Sequence, residues 1–212
     1  MYLIKRFNSN EPDQKIWDNV ESIKIENFPW DETGYKPKTE VKLCYNNSNL
    51  FIKFKSCENQ VRIEAKEFCE PSWFDSCVEF FFLPEPENDN RYFNFEINAR
   101  GTLLLELDNN PPKRNTLDFI NPNCFKIKTD INDDNYREFD NFKPWNIEYR
   151  IPLKFIKSFF SNFDFTSGKI IRANFYKCGD KTLVPHFGTW ANINSPKPDF
   201  HRPEYFKEII FE

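Results

Sequence analysis

Acidic, amide and guanidinium side chains occupy alternate positions in several apolar segments of this 212-residue chain. Alternate residues of a strand lie on the same face, so neighbouring strands would gather these polar groups on one surface. Such a mixture, with few lysines, favours hydrogen bonding to hydroxyl-rich ligands over bare solubility. The candidate residues are Glu79, Glu96, Asn98, Arg172 and Asn174.

Three other interpretations of this polar pattern stay open. The first is purely structural: the outer face of an antiparallel sheet is often simply solvated, or a buried Glu79 paired to Arg172 forms a structural salt bridge. Glu79, Glu96 and Glu148 could instead supply the paired carboxylates of a glycoside hydrolase, which lie about 5–9 Å apart. The third alternative is a protein-interaction domain that uses an aromatic edge.

Composition argues against several other classes of function. The chain has 5 Gly and no glycine-rich phosphate-binding string, so the common nucleotide-binding folds have no support. A net charge of −4 and scattered basic residues argue against nucleic acid as a partner. No apolar run approaches the roughly 18 residues of a membrane span. Two isolated histidines without a third ligand make a transition-metal site improbable.

The 6 cysteines are scattered, without the paired spacing of a zinc site or the density of a small disulfide scaffold. They are expected to be free thiols in a reducing compartment. The N-terminal residues contain no apolar stretch of signal-peptide length, which predicts a cytoplasmic protein unless a leader has been removed.

The polar residues must be positioned by strands, because period-2 alternation recurs along the chain between prolines and turn residues. The 25 Phe indicate a core filled by rings, and only 152–160 has a short helical pattern. The sequence therefore predicts one all-β domain over 1–212, a two-sheet antiparallel, jelly-roll-like β-sandwich with at most one or two short helices. The predicted strands include 40–45, 50–54, 77–83, 92–98, 102–107, 124–131, 145–151, 169–177 and 208–211.

Four motifs in order resemble those of family 9 carbohydrate-binding modules. The segment from Trp73 to Pro84 is similar to the first family signature, and 92–101 to the hairpin that follows it. The stretch from Trp145 to Pro152 resembles a later strand, and 168–176 followed by Trp190 completes the order.

The resemblance implies a non-catalytic β-sandwich that holds the end of a gluco- or xylo-oligosaccharide, or of xylan or cellulose, between two tryptophans. Carried across by motif, Trp73 and Trp190 would form the clamp, and Glu79 and Arg172 would bind sugar hydroxyls. Asn98 and Arg100 are weaker matches at the end of the hairpin, while Glu96 and Asn174 rest mainly on sharing the polar face.

The resemblance also bears on cofactors and partners. Some family members bind structural calcium, for which Asp130, Asp133 and Asp134 could serve, although no ordered calcium loop is present and no cofactor is expected. Modules of this family are secreted and attached to an enzyme, which makes a glycoside hydrolase a candidate partner.

Overall fold

The computed structural model describes residues 1–109, 113–131 and 144–212, and these ranges are mostly β-structure. Two short α-helices are described, α1 (Gln14–Asp18) and α2 (Leu153–Lys157). The predicted all-β fold class is therefore confirmed. The strands are β1 (Tyr2–Arg6), β2 (Ile23–Ile25), β3 (Lys38–Tyr45), β4 (Asn49–Cys57), β5 (Cys77–Leu83), β6 (Tyr92–Asn98), β7 (Leu103–Asp108), β8 (Lys128–Thr129), β9 (Pro144–Pro152), β10 (Ile170–Gly179), β11 (His186–Thr189) and β12 (Lys207–Phe211).

The strands form two sheets that share β1. The first sheet has the order β7-β6-β5-β10-β12-β1, and the second continues as β1-β3-β4-β9-β8. β11 pairs with β10, and β2 pairs with β3. The first half of β1 runs parallel to β12 and its last two residues run parallel to β3. These parallel contacts differ from the predicted antiparallel pattern, which the other described strand pairs follow.

Phenylalanine rings fill the space between the two sheets. Phe80 stacks on Phe82 and on Phe175, with ring centroids 4.7 and 4.9 Å apart. Across the core, Phe95 of the first sheet stacks on Tyr149 of the second at 6.0 Å. Such ring pairs contribute about 0.5–1.5 kcal/mol beyond the area they bury. The large number of phenylalanines therefore reflects a core built from aromatic contacts.

The outer face of the first sheet is also covered. Every residue of β5 and β6 is buried, on both faces of each strand. Phe200 stacks on Tyr176 of β10 at 4.2 Å, and Ile193 and Phe206 pack into the same apolar cluster. A simple solvated face is therefore not what the structure shows, because the segment that follows β11 folds over this sheet.

Two local predictions differ in their outcome. The helical pattern of 152–160 yields the single-turn α2, whose helical residues end at Lys157. The predicted strand 124–131 is wrong for most of its length. Pro122–Phe125 is a 3₁₀ turn that ends at Lys126 in the left-handed conformation, so the strand β8 has two residues.

One ion pair is enclosed within the protein. Lys177 Nζ lies 3.1 Å from Glu58 Oε1, and both side chains are 0% exposed. Lys177 also donates to His186 Nε2 at 2.9 Å, while the Trp145 indole N–H donates to Glu58 at 2.9 Å. A buried charge needs such a complete set of partners, so this network joins β10, β11 and β9 to the end of β4.

The cysteines and the helices can also be compared with what the sequence predicts. All six cysteines are free thiols in the structure. No helix within the described ranges combines the length and the apolar character needed to cross a membrane.

Candidate functional site

A cavity of about 410 Å³ opens on the outer face of the first sheet. Its floor is formed by side chains of β5, β6 and β10, and its walls come from the turn before β5 and from residues 197–201. The chemically distinctive lining residues are Trp73, Glu79, Glu96, Arg114, Asp180, Phe187, Lys197, Asp199, Phe200 and His201.

Glu79 and Glu96 lie directly opposite each other on β5 and β6. Opposed residues of antiparallel strands have Cβ atoms about 4.5–5.5 Å apart, so the two carboxyl groups are neighbours. They are 1% and 2% exposed, yet Glu79 Oε1 and Glu96 Oε2 accept no hydrogen bond from the described residues. Both are therefore free to accept a hydrogen bond from a ligand in the cavity.

Burial raises the pKa of both carboxyl groups. Desolvation, followed by repulsion from Glu96, raises the pKa of Glu79 well above its ordinary value. Desolvation likewise raises the pKa of Glu96 to about 7. Each raised pKa favours the protonated form, in which a carboxyl group can donate a hydrogen bond as well as accept one.

A hydrogen-bond network supports this pair from the β7 side. The Asn94 amide donates to Glu96 Oε1 at 2.9 Å and to Glu106 Oε2 at 3.0 Å. His201 Nδ1 lies 3.1 Å from Asp108 Oδ2. The Arg114 guanidinium donates to His201 Nε2, which must accept because a guanidinium carries no acceptor. The histidine is thereby fixed at the rim of the cavity.

Glu96, Glu106 and His201 offer the ligand atoms that come closest to a metal site in the described residues, all within 4.8 Å of one another. However, Asp108 engages one nitrogen of the imidazole, and Arg114 approaches the other. A cation would have to displace the positively charged guanidinium before it could bind the ring. The geometry therefore favours a hydrogen-bond network over a metal centre.

A buried carboxylate holds the turn that carries Trp73. The turn Ser72–Phe74 is a 3₁₀ helix followed by Asp75, which is fully buried. Asp75 pairs with Arg62 and accepts a 2.9 Å hydrogen bond from the Asn98 amide. Asn98 also donates to Ala65 O at 3.0 Å. Asn98 thus positions the tryptophan turn, and its amide hydrogens are used within the protein.

Replacement of Asn98 by alanine is expected to lower the free energy of unfolding by about 1–3 kcal/mol, because buried partners lose their hydrogen bonds. Urea denaturation would measure the change. Asn192→Ala, at an exposed position, is the control and should stay within about 0.5 kcal/mol of the wild type. An Asn98→Ala variant with an unchanged free energy of unfolding would contradict the positioning role of Asn98.

Asn174 and Arg172 also form hydrogen bonds within the protein. The Asn174 side chain donates to Ala191 O at 3.1 Å and accepts from Ala191 N at 2.8 Å. Arg172 donates to Phe206 O at 3.2 and 3.0 Å. Both residues therefore fasten the segment that covers the sheet.

The alternative in which Glu79 pairs with Arg172 as a structural salt bridge is not what the structure shows. Glu79 lies opposite Tyr176, whereas Arg172 lies opposite Leu83, four residues further along β10. At about 3.3 Å per residue the two positions are roughly 13 Å apart. They share a face, as the alternation predicted, but the register separates them.

The predicted cleft between two tryptophans also differs from the structure. Thr189 pairs with Tyr176, whose side chain lies on the cavity side of the sheet. Trp190 is the next residue, and the Trp190 ring packs on Phe175 in the core, with ring centroids 5.6 Å apart. It therefore lies on the other side of the sheet from the cavity. Arg100 lines a separate depression with Lys66 and Lys126.

Two further candidates lie away from the cavity. Glu148 is on β9 in the second sheet, 3.4 Å from Lys53, so it is not a partner for Glu79 or Glu96. The carboxylate oxygens of Asp130 accept hydrogen bonds from the backbone and side chain of one asparagine, Asn146. The other calcium candidates, Asp133 and Asp134, lie outside the described residues.

Sequence reasoning missed the rim of the cavity. Phe187, Phe200 and His201 come from loops and a short strand, whose position depends on tertiary packing. Glu106 and Asp108 could have been found, because they alternate with buried leucines on β7 as Glu96 does on β6.

Comparison with known proteins supports the same architecture. The sequence profile of carbohydrate-binding family 9 matches residues 11–211. An extracellular protein of Arthroderma benhamiae is 25% identical over 184 residues, which cover 82% of this chain and 79% of the relative. The crystal structure of a candidate carbohydrate-binding protein from Bacteroides uniformis is 28% identical, with a TM-score of 0.82 over 99% of this chain and 98% of that one.

Two solved structures of a family 9 module from Caldicellulosiruptor kristjanssonii, one in complex with glucose and one with cellotriose, share the fold at 14% identity. Their TM-scores are 0.64 and 0.65, with 99% and 100% of this chain covered and 94% and 93% of theirs. Because the family profile spans nearly the whole sequence and the fold is shared, the chain belongs to carbohydrate-binding family 9.

Proposed function

We propose that the cavity binds the terminal sugar of a gluco- or xylo-oligosaccharide and does not cleave it. The observation that carries this proposal is the pair of unpartnered, buried carboxyl oxygens of Glu79 and Glu96 on the floor of a cavity lined by aromatic rings. At about 410 Å³ the cavity is within the range of small-ligand sites. Glucose and cellotriose, the ligands in the two family 9 structures from Caldicellulosiruptor kristjanssonii, are the first ligands to test.

Trp73 is the aromatic surface for the apolar face of the sugar. Its side chain is half-buried against the outer apolar cluster, and its backbone is fixed by a hydrogen bond from Asp180 N at 3.3 Å. Phe187 and Phe200 supply further aromatic lining in place of the predicted Trp190. Sugar C–H groups pack on such rings, while the hydroxyl groups need convergent donors and acceptors.

Trp73→Ala is expected to weaken binding of cellotriose about fivefold or more, because the loss of one ring contact is worth about 1 kcal/mol. Isothermal titration calorimetry would measure the dissociation constant. Trp190→Ala is the matched control: it should lower the melting temperature, since its ring packs on Phe175, and leave the affinity unchanged. The reverse pattern would reject the cavity as the site.

The paired glutamates make a glycoside hydrolase the alternative function. Glu79 and Glu96 have the close spacing of a retaining enzyme, which is the observation in its favour. Against it, both side chains project side by side from neighbouring strands of one sheet, whereas hydrolysis needs two carboxyl groups that flank the scissile bond. Prolonged incubation with cellotriose should therefore release no glucose.

A terminal sugar of xylan or cellulose would be met outside the cell, where a glycoside hydrolase acting on the same polymer is the natural partner. The relative from Arthroderma benhamiae is named an extracellular protein. The cytoplasmic location predicted from the N-terminus stays a prediction. Fractionation of the source cells would decide between the two locations.

A further inference from the structure

Four acidic side chains lie together at the floor of the cavity and directly behind it. Glu79 and Glu96 lie next to each other, and Glu106 and Asp108 follow on β7 behind them. The unpartnered oxygens Glu79 Oε1 and Glu96 Oε2 lie within otherwise buried side chains that line the cavity. A buried carboxylate without a counter-charge is unfavourable, so the floor is suited to a cation.

Arg114 and Lys177 lower the pKa of Glu79, but in the described residues neither Glu79 nor Glu96 forms an ion pair with a protein cation. Arg114 is half-exposed, donates to His201 and lies 4.0 Å from Glu106, on the β7 side of the pair. Lys197 lines the cavity from an exposed loop position. Within the described ranges, Glu79 Oε1 and Glu96 Oε2 accept no hydrogen bond from a protein group, and both side chains line the cavity.

We propose, on the basis of the binding function above, that the cavity prefers a sugar with a protonated amino group, its ammonium held between Glu79 and Glu96. An ammonium has three N–H donors and a positive charge, whereas a hydroxyl supplies one donor and no charge. Trp73 and Phe187 offer rings to the sugar face, and aromatic rings also attract cations. The ligand class is thus an aminohexose with a free amine.

The raised pKa values of Glu79 and Glu96 provide a second way to test this preference, because binding of an ammonium group should release protons from them. Burial keeps the pKa of Glu79 high and that of Glu96 at about 7, and an ammonium would lower both. The neighbouring ionisable groups are Cys77 on β5, Tyr176, Lys177 and Cys178 on β10, Glu106 on β7, and Arg114 and His201 on the loops. Binding of the amine should therefore expel protons from the carboxyl pair.

The test is calorimetry at pH 7 in EDTA, with glucosamine, glucose and N-acetylglucosamine as ligands. Glucosamine is expected to bind at least about tenfold more tightly than either neutral sugar, which corresponds to one charge-assisted hydrogen bond. Titrations in two buffers of different ionisation enthalpy should show release of about half a proton or more with glucosamine, since Glu96 is half-protonated at its pKa.

Single substitutions test whether Glu79 and Glu96 cause the preference for glucosamine. Glu79→Gln and Glu96→Gln keep the side-chain shape and should each abolish the preference for glucosamine. Glu87→Gln, which removes a charge at an exposed position outside the cavity lining, is the matched control and should preserve the preference. If a glutamine variant folds poorly, the proton release by the wild-type protein remains a separate test.

The possible outcomes separate the preference for an amino sugar from the proposed binding of saccharides in general. If glucose or cellotriose binds and glucosamine binds no more tightly, the amine preference is overturned while the proposed function stands. If no saccharide binds, both are overturned. A glucosamine preference that survives both glutamine substitutions, or that is accompanied by no proton release, would also overturn the inference.

Discussion

Replacement of Lys177 by methionine is expected to lower the free energy of unfolding by about 3–5 kcal/mol, because it leaves Glu58 as an uncompensated buried charge. Lys177 Nζ lies 3.1 Å from Glu58 Oε1 and donates to His186 Nε2 and to Cys178 O. Methionine has a similar volume, so packing changes little while the charge is lost. Urea denaturation followed by tryptophan fluorescence would measure the change.

Two further variants make this prediction specific. Lys53→Met breaks a partly exposed pair with Glu148 and should change the unfolding free energy by less than about 1 kcal/mol. The double variant Lys177→Met with Glu58→Gln removes both charges and should recover part of the loss. If Lys177→Met were as mild as Lys53→Met, the buried ion pair would not be a main support of the fold.

A rise in pH is expected to destabilise the protein through Glu96. The pKa of this carboxyl group is raised from 4.5 to about 7 in the folded state, so the folded chain keeps a proton that the unfolded chain releases. The stabilising effect is complete below about pH 4.5 and is lost as the pH rises through 7. The loss amounts to about 3 kcal/mol, from roughly 1.4 kcal/mol for each pKa unit.

The measurement is the difference in unfolding free energy between Glu96→Gln and the wild type at pH 4.5 and pH 8. The difference should grow by about 3 kcal/mol in favour of the variant. The subtraction is needed because burial lowers the pKa of His186 to about 2, so this residue destabilises the fold as the pH falls below 6.5. Glu204→Gln, at an exposed position, reports the general effect of one lost charge. A pH-independent difference would show that Glu96 is not held in a desolvated site.

The strand pattern and the face of each strand could be predicted from sequence because they depend on local alternation. Glu79, Glu96, Asn98, Arg172 and Asn174 do share one face of one sheet, as their spacing indicated. The alternation of polar and apolar residues along a strand does not determine the register between neighbouring strands. For that reason Arg172 was expected to bind the sugar together with Glu79, although it lies four residues away from the Glu79 partner Tyr176 along β10.

The parts of the site that come from loops could not be predicted in the same way. His201 looked like an isolated loop histidine, but tertiary packing brings it to Asp108, 93 positions earlier in the chain. Trp190 was expected at the cleft by motif, whereas its place after Thr189 directs the ring to the core side. A motif gives the order of residues along the chain, and one step along a strand reverses the face on which a side chain lies.

The most direct test of the central claim, that a saccharide occupies the cavity beneath Trp73, is a ¹H–¹⁵N spectrum of the tryptophan indole groups during titration with cellotriose. The five indole signals report on five places in the fold at once. Our account predicts a saturable shift of the Trp73 signal, while the signals of the core residues Trp17 and Trp145 and of Trp190 stay fixed. Saturable binding that moves Trp190 and leaves Trp73 unchanged would contradict it.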